Sequence, residues 1–579
     1  MTTVAMGEQT ASETPDVEPA AAKRKRAARL LPVASVAGGT ALIGAHGSLY
    51  GNWIIDDAAI TFAYARSFAE GLGPVVQPGA EPVEGYSNPT WTALLVLGRL
   101  VGLFDRGTIF GIPDYVLFPK ALSLLLVASI LWGCHVAAAR VTKRPWLATL
   151  AVGGLLAVTP SFVIWTLAGL ENPLYALIIT WMAVLVFLAV LDDRLLRGKL
   201  AVGMGLLAAA AALTRPEGLI YAGVYPLVVL GALRKPRIAA SVKHILLSVA
   251  AFAVPVGAYF LWRYATFGLW LSSPSIAKRQ DLPTLQELTR PGELVGYAGA
   301  PAVLVAVLFV GMVLARPAWW RRGLLALLVP LGLAVVAFSV LEADWMSQLR
   351  FATPVWVLGS LVATLAAADV LRHAKLRGRV WIVVGLVAVL LPTGAAFGAV
   401  AKDFRTEPDI SACYVADRFG RIFNGYADVM GAQNASLLIP DLGGSALTSR
   451  LHLVDMAGLT NHRFAELVRD QDLRGQQNYV YDEVKPTFIH TREPWSTGNG
   501  LGYDPRLARD YYPIHYDIYQ GAPHGDWVRK DAVRDQQMLE DLRAYARVHT
   551  VQVERDIPNW PRRHCGDTLR AGQTDTGEA

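Results

Sequence analysis

The chain predicts a polytopic α-helical membrane protein of about eleven transmembrane helices with a C-terminal extracytoplasmic α/β domain. Three observations carry that prediction. Of 579 residues, 53% are hydrophobic and 17% charged, with a mean hydropathy of +0.35; a soluble chain carries about a quarter charged residues. The charge is unevenly placed: of 53 basic and 47 acidic residues, 21 and 26 fall in residues 402–579, which leaves 32 and 21 before them. Apolar runs of membrane-crossing length recur throughout the first part and not the second. The composition therefore excludes an ordinary soluble enzyme and a disordered chain. The basic excess sits in loops between apolar runs, so it is a topology signal and implies no nucleic-acid partner. Three cysteines make neither a disulfide framework nor a zinc-type spacing.

Residues 1–22 are polar and rich in Pro and Ala, and with KRKRAAR at 23–29 they read as a disordered basic tail, residues 1–29. The membrane domain, residues 30–401, holds apolar runs at about 30–50, 116–139, 147–164, 172–191, 200–213 (a short one), 219–233, 243–264, 294–315, 323–341, 354–371 and 380–401. Lys and Arg cluster at 23–29, 142–144, 194–199, 234–237, 316–322 and 372–379. If all six clusters are cytoplasmic, as the positive-inside rule asks, the N-terminus is inside and the C-terminal domain, residues 402–579, is outside. An even number of crossings must then separate the first two clusters. The weaker run 91–104 therefore lies along the membrane surface inside the first outer loop, 51–115, with Arg99 and the Asp105/Arg106 pair suited to such an interfacial helix. A cleaved signal peptide is the alternative for the first run, but its apolar stretch is long and AHG is a poor cleavage site.

With that topology the unusual polar residues gather on the outer face. The first outer loop carries Asp56, Asp57, Glu84, Tyr86, Ser87 and Asn88; later outer ends carry Glu171, Arg215, Glu217, Lys278, Arg279, Asp344, Trp345 and Arg350. Charge at membrane depth is costly unless paired or hydrated, so its concentration where spans end points to a wet cavity. Cations there can hold a phosphate, and a carboxylate can take a proton from an incoming hydroxyl. Each residue also has a plainer reading. Asp56 and Asp57 could cap a helix, and Glu84 could be a simple loop carboxylate. Glu171 could favour a helix dipole, while Arg215–Glu217 and Asp344–Arg350 could be structural pairs. Lys278 and Arg279 could snorkel.

The order Asp56-Asp57-Ala-Ala-Ile-Thr-Phe-Ala-Tyr, Gly71-Leu72-Gly73, Val83-Glu84-Gly85-Tyr86-Ser87-Asn88-Pro89, Gly169-Leu170-Glu171, Thr214-Arg215-Pro216-Glu217-Gly218 and Asp344-Trp345-Met346 with Arg350 resembles the GT-C glycosyltransferases, across roughly residues 30–400. The resemblance implies sugar transfer from a polyprenyl-phosphate donor to a glycan acceptor on the outer membrane face, with a catalytic aspartate among Asp56 and Asp57. It also implies a horizontal helix matching 91–104 and an appended outer domain. Within the group the likeness is greatest to arabinofuranosyltransferases that use decaprenyl-phosphoryl-arabinose. Their Asn-Thr element is here Pro274-Ser275, although Ala277-Lys278 is kept. On this reading Lys278, Arg279, Arg350 and Arg215 hold the lipid phosphate, Asp56 or Asp57 is the base, and Glu84 or Glu171 positions sugar hydroxyls. A divalent cation bridging carboxylates and phosphate is conceivable, but no spacing argues for a dedicated site and none is expected to be obligatory.

In the C-terminal part, 435–440, 451–455 and 485–490 read as strands, while 463–473 and 531–548 read as helices, so a small α/β domain is expected. The aromatic stretch 511–519 suits either sugar stacking or a core. Cys413 and Cys565 face an oxidising side and are candidates to pair, which their spacing does not decide. His135 reads as a core histidine and His244 as an interfacial one. A lipid-linked-sugar transporter is the competing class; it explains broken helices but neither a large outer domain nor acids confined to one face. A polymerase or ligase acting in the same envelope is a third reading.

Overall fold

The computed structural model describes residues 20–278, 289–519, 521–555 and 564–571. Its membrane part begins with α1 (Ala20–Ser48), α2 (Asp56–Ala69), α3 (Pro89–Leu100), α4 (Asp114–Val141), α5 (Pro145–Val158), α6 (Pro160–Leu167) and α7 (Asn172–Leu191). It continues through α8 (Gly198–Thr214), α9 (Val224–Gly231), α10 (Ile238–Phe267), the short α11 (Ser273–Ala277), α12 (Pro291–Ala298), α13 (Ala300–Ala315), α14 (Arg321–Val340), α15 (Thr353–His373) and α16 (Leu376–Thr406).

Among the described residues, α1, α4, α7, α10, α14, α15 and α16 are each long and apolar enough to cross a membrane. Two further runs are bent pairs: α5 and α6 meet at 81°, α12 and α13 at 103°. Each bend has a local cause. Thr159 adopts the extended backbone that a following proline, Pro160, imposes; Gly299 sits at φ 83°, which glycine tolerates without a Cβ penalty. The remaining two runs, Gly198–Thr214 and Pro216–Gly231, are shorter apolar helices. These eleven segments coincide with the eleven read from the sequence.

The 91–104 run is α3 plus a loop. Its Leu97, Leu100, Val101 and Leu103 are exposed, while Trp91, Leu95 and Arg99 face inward. The apolar outer face suits a helix lying in a membrane surface, but Arg99 is not the interfacial residue expected. It is fully buried, donating to Asp105 at 2.7 Å and Glu70 at 2.5 Å. Asp105 also takes both nitrogens of an Arg66 fork at 2.7 Å. A buried guanidinium is tolerable because each charge has a partner. His135 is buried against Thr149, as a core histidine should be, and His244 bonds the Ala240 carbonyl one turn back.

The C-terminal part holds a five-stranded sheet in the order β4–β3–β5–β7–β6, after a small hairpin β1 (Thr108–Ile109) and β2 (Ile112–Pro113) between α3 and α4. β3 (Ser436–Ile439), β4 (His452–Asp455) and β5 (Phe488–Thr491) are parallel; β6 (Tyr511–Tyr519) and β7 (Ala522–Arg529) extend the sheet antiparallel. The three expected strands are present. The helix expected at 463–473 is two, His462–Arg469 and Leu473–Asn478, and the last helix runs from Gln536 to Arg555. The aromatic stretch 511–519 is itself an edge strand. Its Pro513 is accommodated at a register shift, where no ladder donor is needed. Cys413 and Cys565 are disulfide-bonded.

The sheet domain is joined to the membrane part at the turn before α2. Ile55 and Ser411 form an antiparallel bridge, with Asp56 N–H donating to the Ile410 carbonyl and Ala412 N–H to that of Ile54. The Gln77 side chain pairs with the edge strand β4, giving to the Leu451 carbonyl at 3.0 Å and accepting from Leu453 N–H at 3.2 Å. This covers an edge that would otherwise be open.

Beneath the sheet Asp526 is bound by Arg418 at 3.0 Å, His490 at 2.7 Å and Tyr426 at 2.9 Å. Burial pushes His490 down from 6.5 to about 4 despite its bond to Asp526. A histidine held neutral in the fold but free to charge when unfolded stabilises fully above pH 6.5 and loses that contribution as pH falls towards 4. The melting temperature of the whole protein is therefore expected to drop between pH 6.5 and 4, and His490→Gln should flatten that part of the profile. An unchanged slope in the variant would refute the assignment. Gly443→Ala should lower the melting temperature at every pH, because a Cβ there would lie 2.0 Å from the Asp56 carbonyl oxygen.

Candidate active site

The acidic pair opens α2, and its two members have opposite environments. Successive residues in a helix point about 100° apart, so one carboxylate faces the sheet domain and the other does not. Asp56 is buried: its two oxygens accept Gly443 N–H at 3.0 Å and Gly444 N–H at 2.7 Å. Burial raises its carboxyl well above the ordinary value, helped by the charges of Asp441 and Asp57 and opposed by the two amides. The side chain of Asp57 remains 21% exposed, 3.7 Å from the ammonium of Lys278, itself 54% exposed at the end of α11.

The Glu84–Asn88 segment crosses the same face. Glu84 is buried and clamped by α10: Tyr259 donates to it at 2.5 Å, and Arg263 binds it through both Nε and Nη2. Its carbonyl accepts Ser273 N–H at 3.1 Å, which ties the loop to α11. Gly85 must be glycine, since a Cβ would lie 2.5 Å from the Tyr64 hydroxyl and 2.7 Å from Thr460 of the sheet domain. Tyr86 packs edge-on to Tyr64, Ser87 is half-buried, and Asn88 donates to Glu171 at 2.7 Å.

Glu171 is the centre of a buried ionic network. It accepts from Asn88, from Arg215, and from Arg350 at 3.4 Å; Arg215 also holds Glu217, and Arg350 holds Asp344 at 3.1 Å. Burial alone would raise the Glu171 carboxyl, but Arg215 and Arg350 more than offset it and the net shift is downward. Six of the residues singled out from sequence, Asn88, Glu171, Arg215, Glu217, Asp344 and Arg350, thus meet in one cluster joining four segments. Trp345 stands exposed beside it. Arg279 lies outside the described residues.

Sequence reading missed the partners supplied by distant elements. Tyr259 and Arg263 come from inside an apolar span, where a lone arginine at the outer end was the available signal. Asp441 and Arg492 follow β3 and β5, and they pair with each other beside the acidic turn. Burial pushes the Asp441 carboxyl up, Arg492 opposes, and Asp57 adds to the rise. Among the described residues no group of three or more His, Cys, Asp or Glu side chains is arranged to hold a metal ion.

No protein-family model and no curated protein sequence matches the chain. Solved structures do. ArnT from Cupriavidus metallidurans bound to undecaprenyl phosphate aligns over 87% of this chain and 99% of its own, with TM-score 0.53 and 13% identity. The Archaeoglobus fulgidus oligosaccharyltransferase in its apo form aligns over 86% of this chain and 74% of its own, with TM-score 0.49 and 11% identity. The chain therefore has the polytopic GT-C fold with an appended C-terminal sheet domain.

Removing one charge from a buried pair leaves the other uncompensated and costs about 3–5 kcal/mol. Glu171→Gln removes the carboxylate that Arg215 and Arg350 share and leaves each with one acid, Glu217 or Asp344, so it should lower the melting temperature of the detergent-solubilised protein by several degrees. The exposed substitution Trp345→Ala should leave it within about a degree. Equal melting of Glu171→Gln and the parent protein would show that the network does not hold these helix ends together.

Proposed function

We propose that this protein is an integral-membrane glycosyltransferase that moves a sugar from a polyprenyl-phosphate donor to a cell-envelope glycan on the outer face of the membrane. The observation that carries the reading is the asymmetry of the acidic pair. Asp57 remains accessible beside a cation, in a fold shared with a protein whose crystal structure holds undecaprenyl phosphate. Arabinofuranose donated by decaprenyl-phosphoryl-arabinose is the proposed sugar, on the resemblance of the motifs. The basic clusters at 142–144, 194–199, 234–237, 316–322 and 372–379 support a cytoplasmic N-terminus and an outward sheet domain, as does the Cys413–Cys565 disulfide, a bond that persists in oxidising compartments.

In the proposed step the acceptor hydroxyl oxygen attacks the anomeric carbon. Its proton passes to Asp57, and the bond from that carbon to the phosphate oxygen breaks, its electron pair leaving with the polyprenyl phosphate. Lys278 meets the negative charge that grows on the leaving group, aided by Arg279, its neighbour in sequence. Arg215 and Arg350, already bound by buried carboxylates, act by shaping the wall of the site rather than by taking the phosphate. Asp56 positions α2 against the sheet domain and leaves proton transfer to its neighbour. Glu84 likewise positions the loop through Arg263 and Tyr259. The chain's own cations suffice for charge stabilisation on this reading; a strict requirement for a divalent ion, read as loss of activity in EDTA, would amend it.

Purified protein in nanodiscs, incubated with a panel of polyprenyl-phosphate sugars and a glycan acceptor, should release polyprenyl phosphate with at least one donor. Asp57→Asn should lower that rate by about two to four orders of magnitude without changing the melting temperature, while Asp56→Asn should lower the melting temperature. Carrier release from no donor would end the transferase reading, and full activity in Asp57→Asn would end the assignment of the base.

A further inference from the structure

Ligands of open sheets with parallel strands bind in the crevice beyond the carboxyl ends of those strands. Here β4, β3 and β5 run parallel, so their carboxyl ends share one edge of the sheet. That edge carries Asp455, Asp441 and Arg492, and it meets the membrane part at Asp56, which binds the amides of Gly443 and Gly444 two and three residues beyond Asp441. Asp455 is consumed by its own turn, accepting from Ala457 N–H at 2.8 Å and Thr460 N–H at 2.7 Å. Asp441 and Arg492 are bound to each other and keep 14% and 29% of their side chains exposed. Trp495 follows on the same turn, 38% exposed. That turn is pinned at both ends: Arg492 N–H donates to Ser496 Oγ at 2.8 Å, and Ser496 N–H to the Arg492 carbonyl at 2.8 Å.

We propose that the Asp441–Arg492 pair, with Trp495 on the turn that follows Arg492, is the subsite for the acceptor sugar. The proposal rests on the transferase reading above and deepens it by assigning acceptor recognition to the sheet domain. A carboxylate joined to a guanidinium is electrically balanced, so it favours a neutral polyol over a second phosphate. Together the two groups offer acceptor oxygens and N–H donors to adjacent sugar hydroxyls. An exposed indole held by a pinned turn supplies an apolar face for the C–H side of a sugar ring. Asp56, the residue before the proposed base, accepts the amides of Gly443 and Gly444 just beyond Asp441, which brings this pair towards that base, where an acceptor hydroxyl must sit. The lipid donor would reach the same base from the Lys278 side, so donor and acceptor would be held by different parts of the fold.

The test uses full-length protein in nanodiscs, saturating decaprenyl-phosphoryl-arabinose and a synthetic octyl arabinofuranosyl trisaccharide. Arg492→Gln and Trp495→Ala should each raise the KM for the trisaccharide about ten- to a hundredfold, with the donor KM within about twofold of the parent. Arg492→Lys should be intermediate, since it keeps charge but loses the fork. An unchanged acceptor KM, or a kcat loss with both KM values unmoved, would overturn the subsite. If the parent protein releases carrier from no donor, the transferase reading fails by itself. The subsite is then read from saturation-transfer NMR of the trisaccharide alone. Signal with the parent that is lost in Trp495→Ala supports it, whereas no signal with the parent, or equal signal in both, overturns it.

Discussion

The structure depends on how one buried carboxylate is satisfied. Asp56 cannot reach water, and an unpaired carboxylate in such a place would cost several kcal/mol. Its partners are two backbone amides of the sheet domain, Gly443 and Gly444, in positions where a Cβ would collide. The demand of a single acid for hydrogen bonds therefore docks the two halves of the molecule in one arrangement. The adjoining bridge of Ile55 with Ser411 and the Gln77 clamp on β4 follow the same line of contact. Because α2 starts at this point, docking also aims Asp57 past the junction rather than into it.

A second constraint acts where several of the apolar helices end. Arg215, Arg350 and Glu171 lie where spans terminate, and all three are largely withdrawn from solvent. None would be stable there alone. Each is tolerated because the others supply its counter-charge, and Asn88, Glu217 and Asp344 complete the set. Such a cluster gives little net stability compared with apolar packing, but it is unforgiving of geometry. It fixes how the loop at Glu84–Asn88, the ends of α6 and α8 and the start of α15 stand relative to one another.

Much of this was legible in the chain. The eleven apolar segments follow from run length, because a bilayer imposes that pattern locally, and the parity of basic clusters set the 91–104 run apart from them. The pairings Arg215–Glu217 and Asp344–Arg350 lie within a few residues of each other and were readable for the same reason. The buried state of Arg99 was not, since its burial depends on Glu70 and on a loop that folds back through Asp105. Nor was the edge strand at 511–519, where proline and clustered aromatics obscured the alternation until its pairing with β7 resolved it.

What the sequence by itself determined is the class of molecule: where its apolar segments fall, which loops carry the charge, and that an acidic pair follows the first apolar run. What only tertiary structure decided is the division of labour inside that pair. Asp56 and Asp57 are adjacent and chemically alike, and nothing within a few residues of them separates their roles. The separation is made by amides that lie 387 and 388 residues further on. Hydrogen-bond satisfaction of a buried carboxyl is a property of space rather than of neighbours in the chain, so one acid is held in the junction and the other stays partly exposed beside Lys278.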